Sequence, residues 1–413
     1  MRGTDEMATP QADPAGGEAL PRRPAYARGM ATTNEVTRQF LAVPGADCIL
    51  LAGGLPAPEV YPLQAIEAAT GQALRRFGAD AAAYGPVEGL AELREAIAGR
   101  LSAGGRRFGA ENILVTTGSM QALELIGKVL IDPGDVIVAQ YPTYLGALDA
   151  WRPRLPRYRR IDWDADAAAL ARSMDGAKFA YAVPNFSNPT GALVPAADRA
   201  RLLRAAAEAG VWLVEDDPYG ALYYDGDALP SVLDLDAGPT NSVYRGNVAY
   251  LGTLSKTLAP GLRVGWVVGD PALIQALSLA KQSTDLCGSA FAQAVACELL
   301  RARVDQEQVP RIRALYRRRR DAICDAARRH LADRFTFAPP QGGMFLWLTA
   351  KDPGLDTDAL TQAAMAEGVS VCPSSAFDPA GANRTAVRLN FTFNDERLLG
   401  EGVRRLARAV ARL

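Results

Sequence analysis

Six short apolar runs between residues 112 and 269 limit most strongly what this chain can fold into: "NILVTTG", "DVIVAQYP", "KFAYAVPN", "GVWLVEDD", "NVAYLG" and "LRVGWVVG". Segments of helical character separate the earlier runs. "SMQALELIGKVLI" carries apolar residues at helical spacing, and so does "AADRARLLRAAAEAG", which closes on Gly210 as a C-cap. Strands that alternate with helices predict an α/β layer built on a mainly parallel sheet, since parallel neighbours need a crossover. Only a short loop divides the last two runs, which predicts one antiparallel pair there. After about residue 290 the pattern changes. Long helices come first, then "GGMFLWLTA", "GVSVCPSSAF" and "TAVRLNFTF", then a closing helix. The expected organisation is a flexible tail over 1–29, an N-terminal arm over 30–70 packing on the small domain, a large domain over 71–290 and a smaller α+β domain over 291–413.

Composition removes several function classes. A net charge of -1 over 413 residues offers no field for nucleic acid or a membrane surface. No apolar run approaches the roughly 20 residues of a membrane span, and residues 1–29 hold no apolar core of a signal peptide. Five cysteines without a CxxC pair predict no disulfide framework and a cytoplasmic protein. The arginines Arg317 to Arg320 lie in a long amphipathic pattern and are expected to form a solvated helix face. His330 is the single histidine. Chemistry built on Ser-His-Asp, Cys-His or histidine-ligated zinc therefore lacks its usual parts, and no metal site is expected.

Polar residues gather where the apolar runs end: "TTGS", "PNFSNPTG", "EDDPY" and "TLSK". Ligands on open α/β sheets bind outside the carboxyl ends of the strands, so four clusters at four ends point to one site. A lone strand-end lysine more commonly snorkels to solvent. A desolvated lysine is instead a neutral amine able to condense with an aldehyde. Ser255, Arg263 and the helix N-terminus after Gly118 suit a phosphate. Asp216 suits a protonated pyridine nitrogen, and Tyr219 and Asn188 suit a phenolic oxygen. Aldehyde, phosphate, pyridine and phenol together describe pyridoxal 5'-phosphate, with Lys256 carrying it as a Schiff base.

The ordered set "LAGGLPAPEVYP", "YGPVEGLAELREAI", "TTGSMQALEL", "YPTYLGAL", "NPTG", "EDDPYGALYY", "SKTLAPGLRVGW", "PQGGMFLW" and "VRLNF" resembles the fold-type I pyridoxal-phosphate enzymes of aminotransferase class I/II. Its texture is similar to the subgroup of 2-aminoadipate and kynurenine aminotransferases. The resemblance runs from about residue 50 to the C-terminus. It implies an enzyme that passes an amino group from an L-amino acid to a 2-keto acid in two half-reactions. Lys256 would then move the proton, Asp216 would pair with the ring nitrogen, and Asn188 and Tyr219 would bind the phenolic oxygen. Ser119, Met120 through its N–H, Ser255 and Arg263 would hold the phosphate. Tyr144 would stack on the ring, Arg388 would clamp the substrate carboxylate with Asn188 nearby, and Tyr84 would reach the phosphate of a second subunit in a homodimer.

Some positions depart from the subgroup. Met120 stands where glutamine is common, Ser187 replaces a frequent glutamine, and Ser374 and Ser375 stand where glycines are usual. No arginine for a distal carboxylate aligns securely, although Glu35 and Arg38 are near the expected place. Two other outcomes share the same anchors: a different reaction on the same cofactor (decarboxylation, oxidation or replacement), or a ligand-sensing regulator. The regulator would need a DNA-reading domain, for which about 30 preceding residues are too few.

Overall fold

The structure, a computed structural model, describes residues 27, 29–30, 47–239 and 242–413. Most of the tail expected over 1–29 lies outside the described residues, as do Glu35 and Arg38. Strand β1 is Ile49–Leu50. The large sheet contains β2 (Ile113–Thr116), β3 (Val136–Ala139), β4 (Arg157–Arg160), β5 (Ala177–Ala182), β6 (Trp212–Asp216), β7 (Val248–Thr253) and β8 (Gly265–Val268). The C-terminal part adds β9 (Phe335–Thr336), β10 (Phe345–Ala350), β11 (Val369–Ser370), β12 (Cys372–Pro373) and β13 (Ala386–Asn390).

The large sheet runs β2-β8-β7-β6-β5-β3-β4. Only β8 is antiparallel to its neighbours, pairing so with both β7 and β2. The carboxyl ends of β2, β3, β5, β6 and β7 therefore share one edge, and β8 starts from that same edge. Five of the six apolar runs thus end, and β8 begins, at one place. A seventh strand escapes the apolar pattern. β4 reads "RYRR", lies at the sheet edge, and exposes its three arginines. Charged side chains on an edge strand discourage pairing with another chain, which is why hydropathy does not mark it.

The helix Ser119–Leu130 illustrates how the layers hold together. Ala122, Leu123, Leu125 and Ile126 face inward and are fully buried. Each large apolar side chain contributes roughly 2 kcal/mol on burial, so Leu123→Ala is expected to cost about 3 kcal/mol or more once the cavity is counted. Gly118 caps the N-terminus at φ +78°, a left-handed conformation that glycine adopts without a steric penalty.

The C-terminal sheet runs β12-β13-β10-β9 and is antiparallel. Strand β1 pairs with β11, tying residues 49–50 to this part of the chain. The helix Val304–His330 bridges the two sheets and corrects one sequence expectation. Arg317 and Arg318 are exposed, but Arg319 and Arg320 are buried. Arg319 donates to the Thr392 carbonyl at 2.6 Å and pairs with Glu59; Arg320 donates to Asp225 at 2.5 Å and to the Pro340 carbonyl at 2.8 Å. Four consecutive helical residues span more than one face, so half of the run turns inward. Among the described residues, no helix is long and apolar enough to cross a membrane.

Candidate active site

Lys256 lies in the loop between β7 and β8. Its Nζ donates to the Gly54 carbonyl at 3.0 Å. Burial, reinforced by the positive charges of Arg263 and Arg388, lowers its pKa to about 8. A neutral amine is thus accessible near physiological pH, as nucleophilic attack on a carbonyl requires.

Asp216 ends β6 and is buried. Tyr181, from β5, donates its hydroxyl to Oδ2 at 2.8 Å. Oδ1 is buried without a partner among the described residues. Burial raises the pKa to about 7; the Tyr181 hydrogen bond opposes that rise and the Asp217 charge adds to it. A buried carboxylate with one open oxygen is costly unless a cationic donor meets it. Its neighbour Asp217 faces elsewhere, accepting from the Gly220 N–H at 2.8 Å and the Tyr250 hydroxyl at 3.1 Å.

Tyr219, Asn188 and Tyr144 surround the same space. Tyr219 is buried and hydrogen-bonded to Asn188, and burial pushes its pKa upward. Tyr144 Oη donates to Met120 Sδ at 3.7 Å. Burial, with the Asp216 charge second, raises the Tyr144 pKa to about 12, so both phenols stay protonated.

An anion cradle adjoins them. A Cβ on Gly118 would stand 2.5 Å from Arg263 Nη2, so this glycine admits the guanidinium beside the helix N-terminus. Arg263 also donates to the Thr117 carbonyl at 3.2 Å. Ser119 Oγ is buried without a partner among the described residues. Ser255 Oγ accepts from Thr253 Oγ1 at 3.0 Å and keeps its own proton available. Met120 contributes its backbone N–H in the first turn of the helix. Free N–H groups at a helix start, a guanidinium and two hydroxyls suit a phosphate.

Arg388, on β13, is buried between the rings of Phe345 and Phe377, its guanidinium carbon 4.3 and 4.8 Å from their centroids. It donates to Asn188 Oδ1 at 2.6 Å and to the Ala52 carbonyl, while Nε is buried without a partner among the described residues. Tyr84 stands apart from this assembly, 86% exposed on the protomer. Ser187, Ser374 and Ser375 are structural here: Ser187 closes its own loop, Ser374 donates to the Asn383 carbonyl and Ser375 to Asp358.

Three contributors escaped the sequence reading. Tyr181 was hidden inside an apolar run, where a lone tyrosine on a buried strand was the available signal. The carbonyls of Ala52 and Gly54 carry no side-chain signature, although the glycine pair in "LAGGLP" marks a close backbone approach.

The unpaired atoms test the site against pyridoxal phosphate. Asp216 Oδ1 matches a protonated ring nitrogen, Ser119 Oγ with the Gly118 cradle matches the phosphate, and Lys256 matches the aldehyde. The residues present fit the group. Comparison with known proteins agrees. A family model described as aminotransferase class I and II matches residues 48–406. The chain is 36% identical over 391 residues to aromatic-amino-acid aminotransferase 1 of Thermococcus litoralis, covering 91% of each chain. It superposes with a TM-score of 0.84 on the α-aminoadipate aminotransferase of Thermus thermophilus complexed with N-(5'-phosphopyridoxyl)-L-leucine, at 36% identity over 94% of this chain and 97% of that one. The kynurenine aminotransferase of Pyrococcus horikoshii, in complex with PMP, gives a TM-score of 0.84 at 34% identity, again over 94% and 97%.

Proposed function

The chain belongs to the class I and II aminotransferases, and from that premise we propose that the residues around Lys256 make it a pyridoxal-phosphate enzyme moving an amino group from an L-amino acid to a 2-keto acid. The observation that carries this reading is the open Oδ1 of buried Asp216 together with the partly neutral amine of Lys256, Tyr144 feeling the charges of Asp216, Arg263 and Arg388 and Lys256 those of the same two arginines. When bound, pyridoxal phosphate supplies an aldehyde that condenses with amines and a ring that draws electrons from the substrate Cα. The protein supplies the rest. Asp216 keeps the ring nitrogen protonated. Asn188 and Tyr219 hold the phenolic oxygen, and Tyr144 covers one ring face. Ser119, the Met120 N–H, Ser255 and Arg263 fix the phosphate. Arg388 binds the substrate carboxylate through a planar fork already stacked between two rings.

Lys256 Nζ is the group that takes the proton from Cα and delivers it back, which explains how a protein with one distant histidine performs acid–base chemistry. The Gly54 carbonyl gives that amine a resting partner when it is free. Exposed Tyr84 supports a homodimer in which it reaches the neighbouring phosphate. The five free cysteines suit a reducing cytoplasm.

The test is a half-reaction. A panel of amino acids is added singly to the loaded enzyme and the cofactor spectrum is followed. A good donor should convert the aldehyde form to the amine form, release about one keto acid per site, and stop. A 2-keto acid should then restore the first spectrum. Sustained turnover without any keto acid, by carbon dioxide release or oxygen consumption, overturns the transfer reading and leaves the cofactor site standing.

A further inference from the structure

Arg199, on the helix Ala196–Glu208, is fully buried, yet no step above uses it. It spends four N–H groups on fixed partners. Nε donates to the Val194 carbonyl at 2.9 Å and Nη1 to the Pro230 carbonyl at 2.9 Å. Nη2 donates to the Pro184 carbonyl at 3.2 Å and to Asn185 Oδ1 at 2.6 Å. Pro184 and Val194 are the two ends of the loop that carries Asn188, and the Val194 N–H closes that loop on the Pro184 carbonyl at 2.8 Å.

The second half of the linkage runs through Asn185. Its side chain hydrogen-bonds Asp217, the residue after Asp216. Gly220 makes room for this meeting, because a methyl there would collide with Asp217 Oδ2 and Asn185 Nδ2. Glu215, the residue before Asp216, accepts from the N–H groups of Val232 and Leu233 at 2.8 and 2.9 Å, at the start of the short helix that follows Pro230. One guanidinium thus joins the Asn188 loop, that helix and the acidic end of β6.

We propose that Arg199 is a positioning residue, which fixes the Asn188 loop against the strand end that carries Asp216 and so sets the spacing of two groups that hold the cofactor ring. Lysine cannot replace it, since a point ammonium has three donors and no rigid fork. The positive charge also answers Glu215, which is buried beside Asp216, and the neighbouring Asp217. The inference rests on the proposed roles of Asn188 and Asp216.

The test uses Arg199→Lys and Asn185→Ala, and measures the dissociation constants of pyridoxal phosphate and of an analogue lacking the ring hydroxyl. Asn188→Ala is the reference. It should weaken pyridoxal phosphate and leave the analogue nearly unaffected; if it weakens neither, the underlying reading of Asn188 fails. Arg199→Lys should weaken pyridoxal phosphate by about tenfold, a coupling typical of contacting groups, and the analogue by a smaller factor. Asn185→Ala should act in the same direction, and it carries the test alone if Arg199→Lys does not fold. A normal Asn188→Ala result, combined with equal losses for both ligands or none in the other two variants, overturns the inference and makes Arg199 only a stabilising residue.

Discussion

The Tyr181 hydroxyl donates to Oδ2 of Asp216 at 2.8 Å, and the other oxygen of that carboxylate is buried without a partner among the described residues. This asymmetry separates Asp216 from Asp217, whose carboxylate accepts from Gly220 and Tyr250. Asp216→Ala should leave a folded protein with a chemical step slowed by roughly a hundredfold or more, as loss of a major electrostatic stabiliser does. Asp217→Ala should act mainly on stability. Single-turnover rates for both variants decide it; the reverse pattern would exchange their roles.

The same burial makes a pH prediction for the cofactor-free protein. Asp216 has its pKa raised to about 7 and Glu215 to about 8, in both cases chiefly by burial. Above the unfolded pKa near 4, the native state keeps a proton that the unfolded state has lost. Raising the pH from 5 to 8 therefore destabilises the native state through these groups, the Asp216 part being on the order of 3 kcal/mol. Urea midpoints for the cofactor-free protein should fall over that range, and those of Asp216→Asn should fall less. With pyridoxal phosphate bound, the ring cation meets Asp216 and the difference between the proteins should shrink. Parallel midpoint curves for the two cofactor-free proteins would refute the assignment.

Much of this was legible in the sequence because the chemistry sits at strand ends, where apolar runs give way abruptly to polar residues. Lys256, Asp216, Asn188 and Ser119 all stand at such breaks. What stayed hidden had physical reasons. Strand β4 is charged because it is an edge. Tyr181 is buried in an apolar run, and only its hydroxyl betrays it. Gly54 and Ala52 act through carbonyls, which every residue possesses. Arg319 and Arg320 looked solvated because sequence gives a charge run without the helix phase that turns part of it inward. Arg199 carries no local signal, since nothing in its helical segment records that the helix packs against the Asn188 loop.

Arg388 yields a third prediction. It is held between Phe345 and Phe377 and by Asn188, so its orientation is set before substrate arrives. Charge-assisted hydrogen bonds contribute about 1.5–3 kcal/mol each. Arg388→Ala should thus lower kcat/KM for amino-acid donors by about a hundredfold or more, with pyridoxal phosphate still bound. Arg388→Lys should fall between, because the charge survives and the fork does not. Equal kcat/KM in all three proteins would show that the carboxylate is held elsewhere.

Tyr84 supports the last prediction. A tyrosine 86% exposed, in a loop leading to the helix Ala91–Leu101, contributes little to the protomer's own packing. In the proposed homodimer with shared sites it would reach the phosphate of the other subunit, while Lys256 would serve its own. An inactive Lys256→Ala protein and a weakened Tyr84→Phe protein then carry their defects in complementary halves of two sites. In a mixed dimer one site bears both defects and the other bears neither. After subunit exchange verified by native mass spectrometry, activity should recover toward one intact site per mixed dimer. If exchange is complete and activity stays at the average of the two parents, each site is built from a single chain and Tyr84 has no partner across an interface.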